Sequence, residues 1–294
     1  MQLKFVDKNN SSSPTIILKN DFYVYKIGFN HNYLENIRNN DMYGVLYEAN
    51  VYEYIKNRDI KGNIIPLMIK KCVNLGKIFH ILGINDECKI SRKIKKNLIE
   101  ILDENTDMKN ELYKKKYVLL KFHNMYNKKY KTLREYLEEI NNSEIQNVMI
   151  KILKKLNIIL KEYKKIKLLH NDIRSSNIFV KLKKDKDIDI LLYDFDRSHL
   201  DIYGKNLACI DNIHINKYTD GFDLYKFICV VLKTKLFYLP YDKNMIFYLL
   251  FGLNPKFINK NFYDYFIKSD SENIYKYMKK YNSIETIDLL LKEL

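Results

Sequence analysis

His170-Asn171-Asp172-Ile173-Arg174-Ser175-Ser176-Asn177 (HNDIRSSN) is the stretch that decides how this chain is read. An Asp is followed five positions later by an Asn, between a helical pattern and a strand pattern. On a loop, that spacing suits phosphoryl transfer. Asp172 can accept or orient the proton of an attacking hydroxyl, and Asn177 can bind a metal ion through its amide oxygen. Asp and Asn also favour turns through their own backbone hydrogen bonds, so the loop alone does not decide the matter. Seventeen residues beyond Asn177 stands Asp194, in the tetrapeptide YDFD at the end of an apolar run. A carboxylate there can hold a divalent ion between phosphates.

Outward from these loops, the flanking patterns fall into two groups. Residues 178–182 and 188–195 read as two short strands, and KKDKD between them suits a hairpin turn. Upstream, Thr132 and Glu135 form a T-x-x-E capping box, and Ser143 with Gln146 forms S-x-x-Q. Behind Ser143, the apolar residues Ile145, Met149, Ile152, Leu156 and Ile159 repeat every three or four positions, as one buried helical stripe requires. Helical patterns resume near Asp223 and continue to Leu294.

The first part of the chain is strand-rich. Residues 3–6, 15–19 and 22–29 read as strands, the first two separated by the turn-like KNNSSSP. Residues 41–57 change to helical spacing, with Leu46, Ala49, Tyr52 and Ile55 three apart. Residues 64–73 are extended again, 77–116 read as a charged, irregular insertion, and 117–122 as a buried strand. The expected class is α+β: a small strand-rich lobe carrying one helix (residues 1–122, with the insertion near 77–116), then a larger helical lobe (123–294). A cleft between two such lobes is a natural nucleotide site.

At this point the chain resembles the protein kinases. His170 to Asn177 is similar to their H-R-D-x-x-x-x-N catalytic loop, and Asp194-Phe195-Asp196 to their D-F-G, in the same order and with a hairpin between. The resemblance implies ATP and Mg2+ as cofactors, Asp172 as catalytic base, and Asn177 and Asp194 as metal ligands. Val24-Tyr25-Lys26 falls where kinases carry A-x-K, which implies that Lys26 contacts the α- and β-phosphates. The Lys26 partner is then Glu48 on the following helix, with Glu53 as its competitor. YVLLKFH at 117–123 resembles the strand leading to the adenine-binding hinge, which brings in Leu120 and Phe122; TLREYL resembles the helix after it. Asp223 in DGFDLYKF resembles the Asp that braces the catalytic loop. The likeness covers roughly residues 3–231, and within the family it is strongest to divergent Ser/Thr kinases of large cytoplasmic DNA viruses.

Three departures bear on activity. No glycine precedes Gly28, so KNNSSSP stands where a Gly-rich loop is expected. Ser11, Ser12 and Ser13 are the candidates to donate hydrogen bonds to phosphate in its place. D-F-G has become D-F-D, with Asp196 expected to accept the glycine's backbone shape. No A-P-E follows, and the stretch from Asp194 to Asp223 is short, which puts a peptide-binding platform in question. Arg174, two residues past Asp172, can neutralise charge on a transferring phosphoryl group. Kinases of proteins usually carry Lys there, and those of small molecules often carry His. Three readings stand together: a divergent Ser/Thr protein kinase acting on a protein substrate, a small-molecule kinase of the same fold, and a pseudokinase binding module.

Composition narrows the field. The 294 residues are 47% hydrophobic and 30% charged, enough for one large domain or two lobes and unlike a disordered chain. No apolar run approaches the roughly 20 residues of a membrane span. MQLKFVDKNN lacks the apolar run of a secretory signal, so an intracellular, cytoplasmic protein is expected. Cys72, Cys88, Cys209 and Cys229 form no C-x-x-C pair and read as scattered buried thiols rather than a zinc site or disulfide framework. The net charge of +15 accompanies abundant Lys, Asn, Ile and Tyr, a compositional bias rather than a nucleic-acid signature. The lysine-rich stretches at 91–97, 114–116 and 127–131 read as solvated faces.

Overall fold

The structure, a computed structural model, describes residues 3–5, 15–29, 44–84, 89–104, 116–184, 187–206 and 217–227. In chain order these form β1 (Lys4–Phe5), β2 (Ile16–Lys19), β3 (Tyr23–Phe29), α1 (Gly44–Asn57), β4 (Met68–Val73), α2 (Leu75–Leu82), α3 (Lys89–Glu104), β5 (Tyr117–His123), β6 (Lys131–Thr132), α4 (Leu133–Glu139), α5 (Ile145–Ile166), β7 (Leu168–Leu169), β8 (Ile178–Leu182), β9 (Ile188–Leu192), β10 (His199–Leu200) and α6 (Phe222–Phe227). Strands dominate the first part and helices appear later: an α+β fold in two lobes. The first lobe is an antiparallel sheet in the order β1-β2-β3-β5-β4. Two smaller sheets, β6-β8-β9 and β10-β7, lie beyond it. The helical patterns expected after residue 227, and the serines 11–13, fall outside the described residues.

Side-chain alternation divides the first sheet into two faces. Val118, Leu120 and Phe122 of β5 pack with Val45, Ala49, Tyr52 and Ile55 of α1 in one core. Lys26 lies opposite Leu120 in the β3–β5 register and so shares that face. A Cβ at Gly28, two residues on, would meet Val45 Cγ2 at 2.5 Å. Glycine there lets α1 sit close to β3, which sets the height of the helix over Lys26.

The other face corrects the reading of residues 77–116 as irregular. Leu75, Ile78, Phe79, Ile94 and Leu98 of α2 and α3 cover Ile16, Leu18, Tyr25, Ile27, Tyr117 and Leu119. Lysines obscured the helical period in the sequence, but Ile94 and Leu98 lie one turn apart and face the sheet. Asn74 caps α2 by accepting from Lys77 N at 2.8 Å. Cys72 is also a correction. It is exposed rather than buried, because the strand shifts register between Lys70 and Val73 and Cys72 takes φ 56°. The other three cysteines lie outside the described residues.

In the second lobe the α5 stripe is buried as expected: Ile145, Met149, Ile152, Leu156 and Ile159 are all core. Ser143 does not cap this helix. It lies in a short 3-10 turn, Asn142–Glu144, and Glu144 at the cap position is already right-handed helical with no side-chain bond. A capping side chain needs extended backbone at that position, which the 3-10 entry denies it. Thr132 has that backbone, at φ −64° and ψ 152°, and forms the full box with Glu135. Among the described residues no helix is long and apolar enough to cross a membrane.

The two lobes are stitched by the segment after α1. Ile64 N donates to Leu192 O at 2.9 Å and Leu192 N to Gly62 O at 2.8 Å. Gly62 takes φ 84°, and a Cβ on it would meet Ile159 of α5 at 2.5 Å. Replacing Thr132 with Ala should lower stability by about 1 kcal/mol, read by urea unfolding. Burial would raise the Glu135 carboxyl, but hydrogen bonds from Thr132 and Tyr126 hold it below the ordinary range. That contribution is therefore present at neutral pH and lost as pH falls through the depressed value. The wild-type and Thr132→Ala stabilities should draw closer in acid, with the bond from Glu135 N to Thr132 Oγ1 keeping a residual difference.

Candidate active site

Lys26 is 2% exposed, and its Nζ lies 2.5 Å from Asp194 Oδ1, 2.7 Å from Glu48 Oε2 and 3.8 Å from Asp196 Oδ2. Burial alone would depress the ammonium, but Asp194, Glu48 and Asp196 hold it well above the ordinary lysine range. Glu48 is pushed up to about 8, by burial first, against the pull of Lys26. Burial also works to raise Asp194, yet the closer Lys26 contact wins and holds it low. Glu53 turns elsewhere: its carboxylate pairs with Lys71 at 2.5 Å. The helical period separates the two candidates, since Glu48 shares the buried face with Tyr52 and Ile55.

The loop after β7 is held from below by Asp223 of α6. Its carboxylate accepts from His170 N at 2.6 Å and from Asn171 N at 2.8 Å. Lys226 Nζ donates to Asn171 O, and Asn171 takes φ 62°, a left-handed conformation that Asn tolerates. His170 Nε2 lies 3.0 Å from Tyr193 O. A carbonyl only accepts, so Nε2 carries the proton. Burial pulls the ring's pKa down despite the carboxylates around it, and neutral imidazole follows.

Asp172 and Asn177 meet directly. Asn177 Nδ2 donates to Asp172 O and to Asp172 Oδ2, both at 2.9 Å, while Asn177 Oδ1 accepts from Ser176 at 3.3 Å. Arg174 Nε lies 3.2 Å from Asp172 Oδ2, on a side chain that is 46% exposed. This leaves the guanidinium at the rim and the carboxylate beneath it.

β9 ends at Leu192, three residues short of the sequence reading, because the chain turns sharply at Asp194 with φ 72°. Asp194 N donates to Tyr52 OH at 3.2 Å and Phe195 N to Glu48 Oε1 at 3.3 Å. The Phe195 ring is fully buried, 4.5 Å from His170 and 5.1 Å from Tyr52 between centroids. α1, the 170–177 loop and the 194–196 turn thus converge on one aromatic plug. Leu120 and Phe122 are core residues: Leu120 sits mid-ladder between β3 and β4, and Phe122 stacks edge-on between Tyr52 and Tyr193.

Asp172, Asp194 and Asp196 each bring a carboxylate oxygen into one group within 4.8 Å. Hard oxygen donors of this kind suit Mg2+. The sequence gives Asp196 only a backbone role, and the structure corrects that role: the left-handed residue of the turn is Asp194, at φ 72°, not Asp196, whose contribution is its carboxylate. The missed signal was D-x-D itself, two carboxylates on one turn. Burial, with Asp194 adding to it, pushes Asp196 up to about 6.

No family model matches the chain, and no curated protein matches it. Two solved structures similar to it are both of WbdD. One is a co-crystal with the kinase inhibitor LY294002, at TM-score 0.38 and 13% identity, over 99% of this chain and 49% of that one. The other is a medium-resolution structure of the bifunctional kinase-methyltransferase WbdD, at TM-score 0.38 and 13% identity, over 95% and 47%. The chain spans about half the length of the solved chains it matches.

Proposed function

We propose that this chain is an ATP- and Mg2+-dependent phosphotransferase, a divergent Ser/Thr protein kinase transferring phosphate to a hydroxyl. The observation that carries the reading is one ammonium, Lys26, set between Glu48 and Asp194, with three aspartate carboxylates grouped beside it. In this reading Lys26 binds the α- and β-phosphates while Glu48 holds it in place. Asp194 and the Asn177 amide oxygen would hold a metal ion, which when bound would neutralise phosphate charge and orient the nucleotide. Asp172 takes the proton of the attacking hydroxyl, and Arg174 at the rim offsets charge on the transferring group. The adenine site is proposed along the segment following β5, with Leu120 and Phe122 supporting it from the core. Ser11, Ser12 and Ser13 are proposed to cover the phosphates, and residues 1–122 and 123–294 to be the two lobes.

The missing A-P-E and the short stretch from Asp194 to Asp223 favour a second reading, a small-molecule acceptor. Phosphate transfer from labelled ATP to a generic protein, compared with transfer to sugars, amines and alcohols, separates the two. The nucleotide reading is tested by thermal shift. Mg-ATP at about 100 times its dissociation constant should stabilise the wild type by about 2.7 kcal/mol. Asp194→Ala should lose most of that, since no neutral side chain replaces a metal-bridging carboxylate. Equal stabilisation of both proteins counts against the assignment.

A further inference from the structure

Asp196 has the surroundings of a ligand rather than of a turn residue. The residue is 9% exposed, and its Oδ1 is buried with no hydrogen-bond partner. Its Oδ2 lies a long 3.8 Å from Lys26, which Asp194 and Glu48 take up more closely, and the charge of Arg197 also acts on the carboxylate. A carboxylate in this state is costly, and glycine or serine would fill the turn without the cost.

The turn is also built to keep the side chain where it is. Asn206, 1% exposed, donates from Nδ2 to Asp196 O at 2.9 Å and to Ser198 O at 2.7 Å. Ser198 Oγ in turn donates to Phe195 O at 2.6 Å. Asn177, the neutral oxygen donor on the facing loop, already accepts from Ser176. Asp172, Asp194 and Asp196 bring three carboxylate oxygens within 4.8 Å of one another, beside Lys26, Arg174 and Arg197. Carboxylates gathered this closely repel one another, and a divalent cation among them relieves that repulsion.

We propose that Asp196 is a direct ligand of a divalent metal ion that it shares with Asp194, through the oxygen left without a partner. The inference rests on the phosphotransferase reading and adds a charged ligand at the position where D-F-G kinases have glycine. Two carboxylates on one turn can hold the ion before nucleotide arrives, so the site should load with metal alone.

The test uses Mn2+ as the probe on the full chain without nucleotide, with free Mn2+ read by electron paramagnetic resonance. The wild type should bind Mn2+, and excess Mg2+ should displace it. Asp196→Asn and Asp196→Gly should each weaken binding by about tenfold or more, as should Asp194→Asn. Metal-free melting temperatures of the two Asp196 variants should equal or exceed the wild type's, because a buried unpaired charge is removed. Wild-type Mn2+ affinity in both Asp196 variants, alongside a loss in Asp194→Asn, overturns the proposal and leaves the phosphotransferase reading standing. Lower metal-free melting temperatures in both Asp196 variants assign the residue a structural role and also overturn it. A wild type that binds no Mn2+ with or without ATP overturns both.

Discussion

Asp172→Asn is expected to lower phosphate transfer by about 100- to 10,000-fold, the usual span of a general-base contribution, with Mg-ATP binding and folding nearly unchanged. The substitution is isosteric. The bond from Asn177 Nδ2 to Asp172 O is to backbone and survives it, and the Asn oxygen can still accept the second bond from the same group. The lost partner, Arg174, is 46% exposed, so water takes over its solvation at small cost. What disappears is the negative charge proposed to orient and deprotonate the hydroxyl. Turnover with labelled ATP, beside thermal shift with Mg-ATP, separates the two effects. Full activity in Asp172→Asn overturns the catalytic assignment whatever the acceptor. A wild type that binds Mg-ATP and phosphorylates neither proteins, itself nor small alcohols and amines makes the chain a binding module.

Lys26→Met is expected to be a folding variant as well as a catalytic one. Lys26 is the buried cation facing Glu48, Asp194 and Asp196, and Glu48 is fully buried. Removing one partner of a buried ion pair strands the other, at a cost of about 3–5 kcal/mol. Methionine keeps most of the volume, so the loss is electrostatic rather than a cavity. Adding Glu48→Gln should recover part of it, because the stranded charge goes with the carboxylate. Urea unfolding of wild type, both single variants and the double variant in metal-free buffer gives the coupling directly. A Lys26→Met protein as stable as wild type would mean that the carboxylates already share protons in the fold, and would refute this account of the site's electrostatics. The practical consequence is that inactivity of Lys26→Met alone says little about phosphate binding, whereas inactivity of Asp172→Asn is interpretable.

The chain by itself determined what is local. The Asp172–Asn177 spacing, the T-x-x-E box at Thr132, the α5 stripe and the strand pair around KKDKD are set by neighbours within a few residues, so periodicity and capping chemistry reveal them. Where lysines break up the apolar period, as in α3, local pattern does not reveal the helix, because its partner is a sheet face distant in sequence. The choice of Glu48 over Glu53 rested on one helical period, and the structure shows the physical basis: one glutamate faces Lys26 and the other Lys71. Tertiary structure alone decided the rest. Asp223 reaches the backbone of His170 from 53 residues away, and Lys26 reaches Asp194 across 168. Periodicity and capping chemistry give no sign of such contacts, which the sequence suggests only through motif resemblance, since they depend on how Gly28 and Gly62 let α1 and its following segment close on β3 and β9. The charge state of the site belongs to the same class. Asp196 is an ordinary carboxylate in the sequence, and only burial beside Asp194 makes it an acid in search of a cation.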